Sequence, residues 1–202
     1  MLEQFSDQGF IECQVEDLEE ELLDSLEMMQ PIKFPSDSIR FASRGLVNER
    51  EVVLLELSYE DGNSTLAYTG CAAWIPFALP KTLIRRRTLK DRFSKQERLR
   101  DPSFDKQRLI HSENLDVVSS LLRPLSDWFV TNKSQISSFR MGQPPGKVEQ
   151  WFFNDHWVVL VDQGSAYTKQ HLSMAEFLSA FIIMLESHSY SNHDIKDSLE
   201  NS

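Results

Sequence analysis

Residues 81–110 hold eleven bases against four acids, while the first thirty residues hold ten acids and no base. The bases are Lys81, Arg85, Arg86, Arg87, Lys90, Arg92, Lys95, Arg98, Arg100, Lys106 and Arg108, with Phe93 and Phe104 among them. Guanidinium forks match carboxylates and phosphates two oxygens at a time, so this composition suits an acidic protein surface, RNA or DNA. On a helix, Arg85, Arg92 and Lys95 share one side while Arg86, Arg87 and Arg98 fall elsewhere, so the charge surrounds the axis instead of forming a groove reader. A solvated helix or loop, a protein-binding surface and a nucleic-acid-binding surface therefore all fit the segment, and so does pairing with the chain's own acidic N-terminal helix. At the other pole, Glu16 to Glu21 with Asp24 reads either as the wet face of a helix or as a surface offering carboxylates to a basic protein, with fast, salt-sensitive association. The candidate partner-binding residues are Arg85, Arg86, Arg87, Lys90, Arg92, Lys95 and Arg98 on the basic side, and Glu19, Glu20 and Asp24 on the acidic side.

Catalytic and metal chemistry find little support. The histidines, His111, His156, His171, His188 and His193, form no HxH or HExxH spacing, and none of the glycine-rich phosphate loops or the GxSxG elbow occurs. His156 beside Asp155 reads as a turn residue. Cys13 and Cys71 lack CxxC spacing and read as reduced thiols, Cys71 as a core residue of an apolar strand. The expectation is a non-catalytic chain with no metal and no cofactor.

A chain of 202 residues with 41% hydrophobic content can bury a full core as one domain. Its net charge of −10 argues for solubility and against nucleic acid as the main partner, with the basic segment as a local island. No apolar run approaches the length of a membrane span, and the acidic N-terminus is the reverse of a secretory signal, so a cytoplasmic protein with no membrane partner is expected.

The elements that must position these residues follow from periodicity. Val15, Leu18, Leu22, Leu26 and Met29 form the stripe of an amphipathic helix over 14–30, closed by Pro31 and Pro35. Ile39 to Ala42, Glu51 to Tyr59 and Ser64 to Trp74 read as strands, the last two joined through Asp61-Gly62-Asn63. The unbroken run Val52 to Leu55 marks a strand covered on both faces. Pro76 and Pro80 close the next strand, because proline cannot donate to a central ladder.

Residues 82–100 read as a thinly apolar, mostly solvated helix within a basic insertion over 81–110. A start signal at Ser112 precedes a helix running through Leu115, Val118, Leu121, Leu122, Leu125 and Phe129, which Pro124 should kink or split. Ile136 to Met141, Val148 to Phe153 and Trp157 to Val161 suggest a three-stranded meander turning at 142–146 and at Asn154-Asp155. Trp151, Phe152, Phe153 and Trp157 point to both faces of it, so one face needs a helix, a partner or the N-terminal helix to cover it. Ser173 and Glu176 match a capping box at the start of an apolar helix through Leu185, and residues 187–202 read as a disordered tail.

Trp74-Ile75-Pro76-Phe77-Ala78 resembles a short motif of the SUKH family of immunity and interaction proteins, and Ser173 to Leu178 is similar to the start of that family's terminal helix. The glycine- and aspartate-rich turn that should follow the first motif is replaced by Leu79-Pro80-Lys81.

Together these readings predict a single α+β domain over 1–186, with an antiparallel sheet of five to six strands and packed helices. The expected function is binding of another macromolecule, a protein of unknown identity, in the manner of an immunity-type inhibitor or an assembly adaptor. A nucleic-acid-binding accessory role for residues 81–110 is the alternative, and a homo-oligomer stays open.

Overall fold

The run Val52 to Leu55 determines the architecture, because its side chains alternate into two separate apolar clusters. Val52 and Leu54 join one, and Val53 and Leu55 join the other. A computed structural model shows why, describing residues 9–29, 33–62, 64–87, 91, 97–127, 150–163 and 168–200. Its centre is a six-stranded antiparallel sheet with helices on both faces, an α+β fold.

The strands are β1 (Ile11–Cys13), β2 (Ile39–Val47), β3 (Arg50–Asp61), β4 (Ser64–Arg86), β5 (Arg108–Ser112) and β6 (Gln150–Gln163). Their order is β1-β2-β3-β4-β5, and β6 also pairs with β4. Long β4 is the spine: its first half pairs with β3 and its second half with β5, while β6 pairs with both halves. The helices are α1 (Glu20–Met28), α2 (Pro102–Gln107), α3 (Leu115–Leu122) and α4 (Thr168–Glu200).

The first face carries Ile84, Trp151, Phe153 and Leu160 and is covered by Val118 and Leu122 of α3 and by Met174, Leu178, Phe181 and Leu185 of α4. The second carries Phe152, Trp157, Val159 and Val161, covered by Leu18, Leu22, Leu26 and Met29. The stripe helix thus docks on the core and covers the aromatic face that needed a helix, a partner or this N-terminal helix. It is shorter than the 14–30 span: Val15–Asp17 form a 3-10 turn, and the α-helix begins at Glu20.

β4 does not end at Pro76. Between the pairs Trp74↔Trp157 and Thr82↔Phe153, β4 advances eight positions while β6 advances four. The extra residues form bulges that hold Pro76 and Pro80 where no ladder donor is required, which reconciles the prolines with an internal strand. Opposite them, Asn154-Asp155 is an irregularity inside β6 and not the turn expected there, and Asp155 has φ 53°. The bulges also reverse which residues face each side. On β4, odd-numbered Cys71, Ala73, Ile75 and Leu79 give way to Ile84 on the first face; on β6, Phe153 gives way to Val158. Buried Asn154 donates through Nδ2 to Ser25 Oγ at 3.1 Å, fastening the bulge to α1. The first strand of the expected meander, and its turn at 142–146, lie outside the described residues.

The expected basic helix over 82–100 is also corrected. Residues 82–86 complete β4, with Leu83 and Ile84 buried on opposite faces, a period of two. Residues 88–90 and 92–96 lie outside the described residues. The helix expected from Ser112 starts at Leu115, because Ser112 ends β5 and Asn114 supplies the cap through Oδ1 to the Val117 N–H at 3.2 Å. Pro124 splits it as expected, in a 3-10 turn over Arg123–Leu125 after which Ser126 and Asp127 are helical again. The capping box at Ser173 is not the start of α4, which begins at Thr168, since buried His171 belongs to the packed helix and its Nε2 lies 3.4 Å from Leu55 O. The backbone of α4 is helical as far as Glu200. Its contribution to the apolar core nevertheless ends at Leu185.

The β2–β3 turn is Asn48-Glu49, with φ of 50° and 64°. Two positive φ angles define a hairpin turn in which glycine is preferred at the second place, and a non-glycine residue there costs roughly 1 kcal/mol. Glu49→Gly is expected to stabilise the protein by about 0.5–1 kcal/mol in chemical denaturation; a loss of stability would show that the Glu49 side chain makes a compensating contact.

Candidate functional site

The strand ends around Arg86 and Arg108 gather cations from three segments. Arg86 and Arg108 are directly opposed in the β4–β5 ladder, Arg86 half-buried and Arg108 buried. Arg85, beside them, is held by Asp91 through two parallel bonds, Nη1 to Oδ2 and Nη2 to Oδ1, each 2.7 Å. Its charge is therefore matched within the chain.

Arg87 lies just beyond β4. Its amide donates to Gln107 O at 2.9 Å and its Nη1 to Asp105 O at 2.7 Å, which ties the strand end to α2. Arg87 then joins Arg98, Arg100 and Lys106 around an open hollow of about 430 Å³, also lined by Pro102 and Asp105. Arg98, Arg100 and Lys106 are exposed, and among the described residues no ion pair engages them. Arg100 sits in the left-handed region at φ 62°, a costly conformation for arginine.

The wall carrying these cations is well braced. Leu99 and Phe104 are fully buried in the first-face core. Asp101 caps α2, its Oδ1 accepting the Ser103 and Phe104 amides at 2.9 Å each and its Oδ2 the Ser126 hydroxyl at 2.8 Å. The Phe104 amide first, then the Ser126 hydroxyl, hold the Asp101 carboxyl below the ordinary carboxylate range. Asp105 Oδ1 accepts the Leu99 amide at 3.0 Å, and Arg123 Nη2 donates to Leu99 O at 3.3 Å. The hollow is thus a set of exposed cations on a fixed frame.

Among the residues singled out from sequence, Arg87 and Arg98 line this hollow, whereas Arg85 and Arg86 lie on the adjoining strand end. Lys90, Arg92 and Lys95 lie outside the described residues. On the acidic side, Glu20 and Asp24 are exposed on α1, but Glu19 is clasped by Arg44 through Nη1–Oε1 at 2.8 Å and Nη2–Oε2 at 2.7 Å. Partial burial on its own would raise the Glu19 carboxyl; the Arg44 hydrogen bonds and charge outweigh it and leave the group lowered. Arg44 also reaches Glu51 at 3.0 Å.

Among the described residues no ion pair joins the acidic helix to the basic segment. The two pack on opposite faces of the sheet, α1 through the second cluster and α2 through the first. Arg100 and Lys106 entered the basic count but were not singled out, and only the β4–β5 register brings them to Arg87. Arg44 was missed altogether, because a lone arginine in an alternating strand gives no sequence signal.

A second concavity, about 490 Å³, has Leu83 and Phe152 in its lining with Met28, Lys81, Glu97 and His111. Cys71 is fully buried and burial pushes its thiol far up, so it is an inert core group; burial also raises Cys13. Among the described residues no cluster of histidine, cysteine and carboxylates is arranged to hold a metal ion, and no helix is long and apolar enough to cross a membrane.

These features define an α+β protein whose antiparallel sheet is covered on both faces and ends in a concave arginine-rich edge. The chain is similar in fold to the mycobacterial trehalose monomycolate transport factor A, TtfA, whose crystal structure it matches with a TM-score of 0.51 at 11% identity over 89% of each chain. No family model and no curated protein matches the sequence.

Proposed function

We propose that this is a cytoplasmic, non-catalytic protein that binds an acidic protein partner through the arginine-rich sheet edge. The observation that supports this reading is the convergence of Arg87, Arg98, Arg100 and Lys106 on one braced hollow, three of them exposed and matched by no carboxylate among the described residues. Cations kept solvated on a braced backbone are not already spent on partners within the chain, and they attract carboxylates over about a Debye length. Such a surface serves an inhibitor or an assembly adaptor equally well.

The test is affinity capture from source cells with the wild-type chain and with Arg98→Glu/Arg100→Glu/Lys106→Glu. The wild type is expected to retain an acidic protein in stoichiometric amount that elutes as salt rises, and the triple variant to lose it while keeping its thermal stability. Recovery of the same partner by both chains, or a mobility shift with DNA or RNA at moderate salt, would overturn the reading.

A further inference from the structure

Resting on that reading, we infer that the group seated in the hollow is a phosphate monoester carried by the partner, as on a phosphorylated side chain. The first reason is stoichiometry of donors. Arg87, Arg98, Arg100 and Lys106 face one concavity with a single carboxylate, Asp105, among them. That carboxylate is already engaged by the Leu99 amide, and Arg87 spends Nη1 on Asp105 O. Arg98, Arg100 and Lys106 keep their full donor sets among the described hydrogen bonds. A carboxylate offers two oxygens and satisfies one fork. A phosphate monoester offers three terminal oxygens and nearly two charges, so it can engage two or more forks at once.

Layout is the second reason. The four cations gather around one open hollow, whereas an extended nucleic-acid backbone needs a stripe of cations along its path. Long-range charge is the third. The chain carries a net −10, which repels a long polyanion, but a compact dianion inside the hollow is governed by the cations within a Debye length of about 8–10 Å. The two-amide cap of Asp101 and the Leu99 amide on Asp105 brace the backbone that carries the lining, so no backbone rearrangement is needed when the anion arrives.

The experiment titrates inorganic phosphate, then an acidic peptide with one phosphoserine and its unphosphorylated twin, into the full chain. It follows the arginine Nε–H resonances by NMR and affinity by calorimetry. Saturable shifts confined to arginines of the hollow are expected, stronger at pH 7.5 than at pH 5.5, because the second phosphate ionisation lies near pH 6. The phosphopeptide is expected to bind more tightly than its twin. Arg98→Gln/Arg100→Gln, both at exposed positions, is expected to cost roughly tenfold or more per arginine in phosphopeptide affinity. Absence of saturation by phosphate, or equal affinity for the two peptides, would overturn the phosphate assignment and leave the acidic-partner reading standing. Tighter binding of duplex DNA than of the phosphopeptide would overturn both.

Discussion

Replacing Trp151 with alanine is expected to lower the free energy of unfolding by about 3–5 kcal/mol, measured by denaturant titration with an unchanged slope. Trp151 is fully buried where β6 meets α4. Its ring lies 5.0 Å from Phe181 and 5.7 Å from Phe177, centroid to centroid, and it opposes Ile84 on β4. Truncation removes aromatic contact area from two layers at once, and the neighbours cannot collapse, because Ile84 is held in the ladder and Phe181 also packs on Phe153. The same strand end carries the cationic edge, so Trp151→Ala should also weaken partner capture at temperatures where the wild type is fully folded. A loss smaller than about 1.5 kcal/mol would mean that α4 is not anchored at this point.

Asp91→Ala is expected to cost about 2–3 kcal/mol, because it leaves the Arg85 guanidinium largely buried without its two-bond partner. Arg85→Met/Asp91→Ala should recover part of the loss, since removing both charges leaves neither unpaired. A double-mutant cycle reads this coupling directly. If Asp91→Ala changes stability by less than about 0.5 kcal/mol, the pair behaves as an ordinary surface ion pair, and Arg85 is available to a partner after all.

Several elements were legible because local pattern and burial agree. The stripe from Leu18 to Met29 is buried, the Val52–Leu55 strand faces two clusters, the hairpin turns at Gly62, and Pro124 splits a helix. Misreadings arose where register overruled propensity. Pro76 and Pro80 read as strand breakers because sequence cannot show that the partner strand leaves their nitrogens unneeded. Leu83 and Ile84 fit a thin helical stripe as readily as a strand until β5 and β6 are seen on either side. Asn154-Asp155 has turn chemistry, and that chemistry makes a bulge because β4 opposite carries the surplus residues.

Residue type and near-neighbour period were enough for the α+β class, for a Val52–Leu55 strand covered on both faces, and for the segregation of charge into an acidic head and a basic middle. Contacts between distant segments set the acidic helix on one face and α2 on the other, gave Glu19 to Arg44 and Arg85 to Asp91, and brought Arg87, Arg98, Arg100 and Lys106 to one hollow. The physical reason is that electrostatic function depends on distances of a few ångströms between side chains from different elements. Those distances are set by strand register and by which face each helix buries, and neither is written in local periodicity.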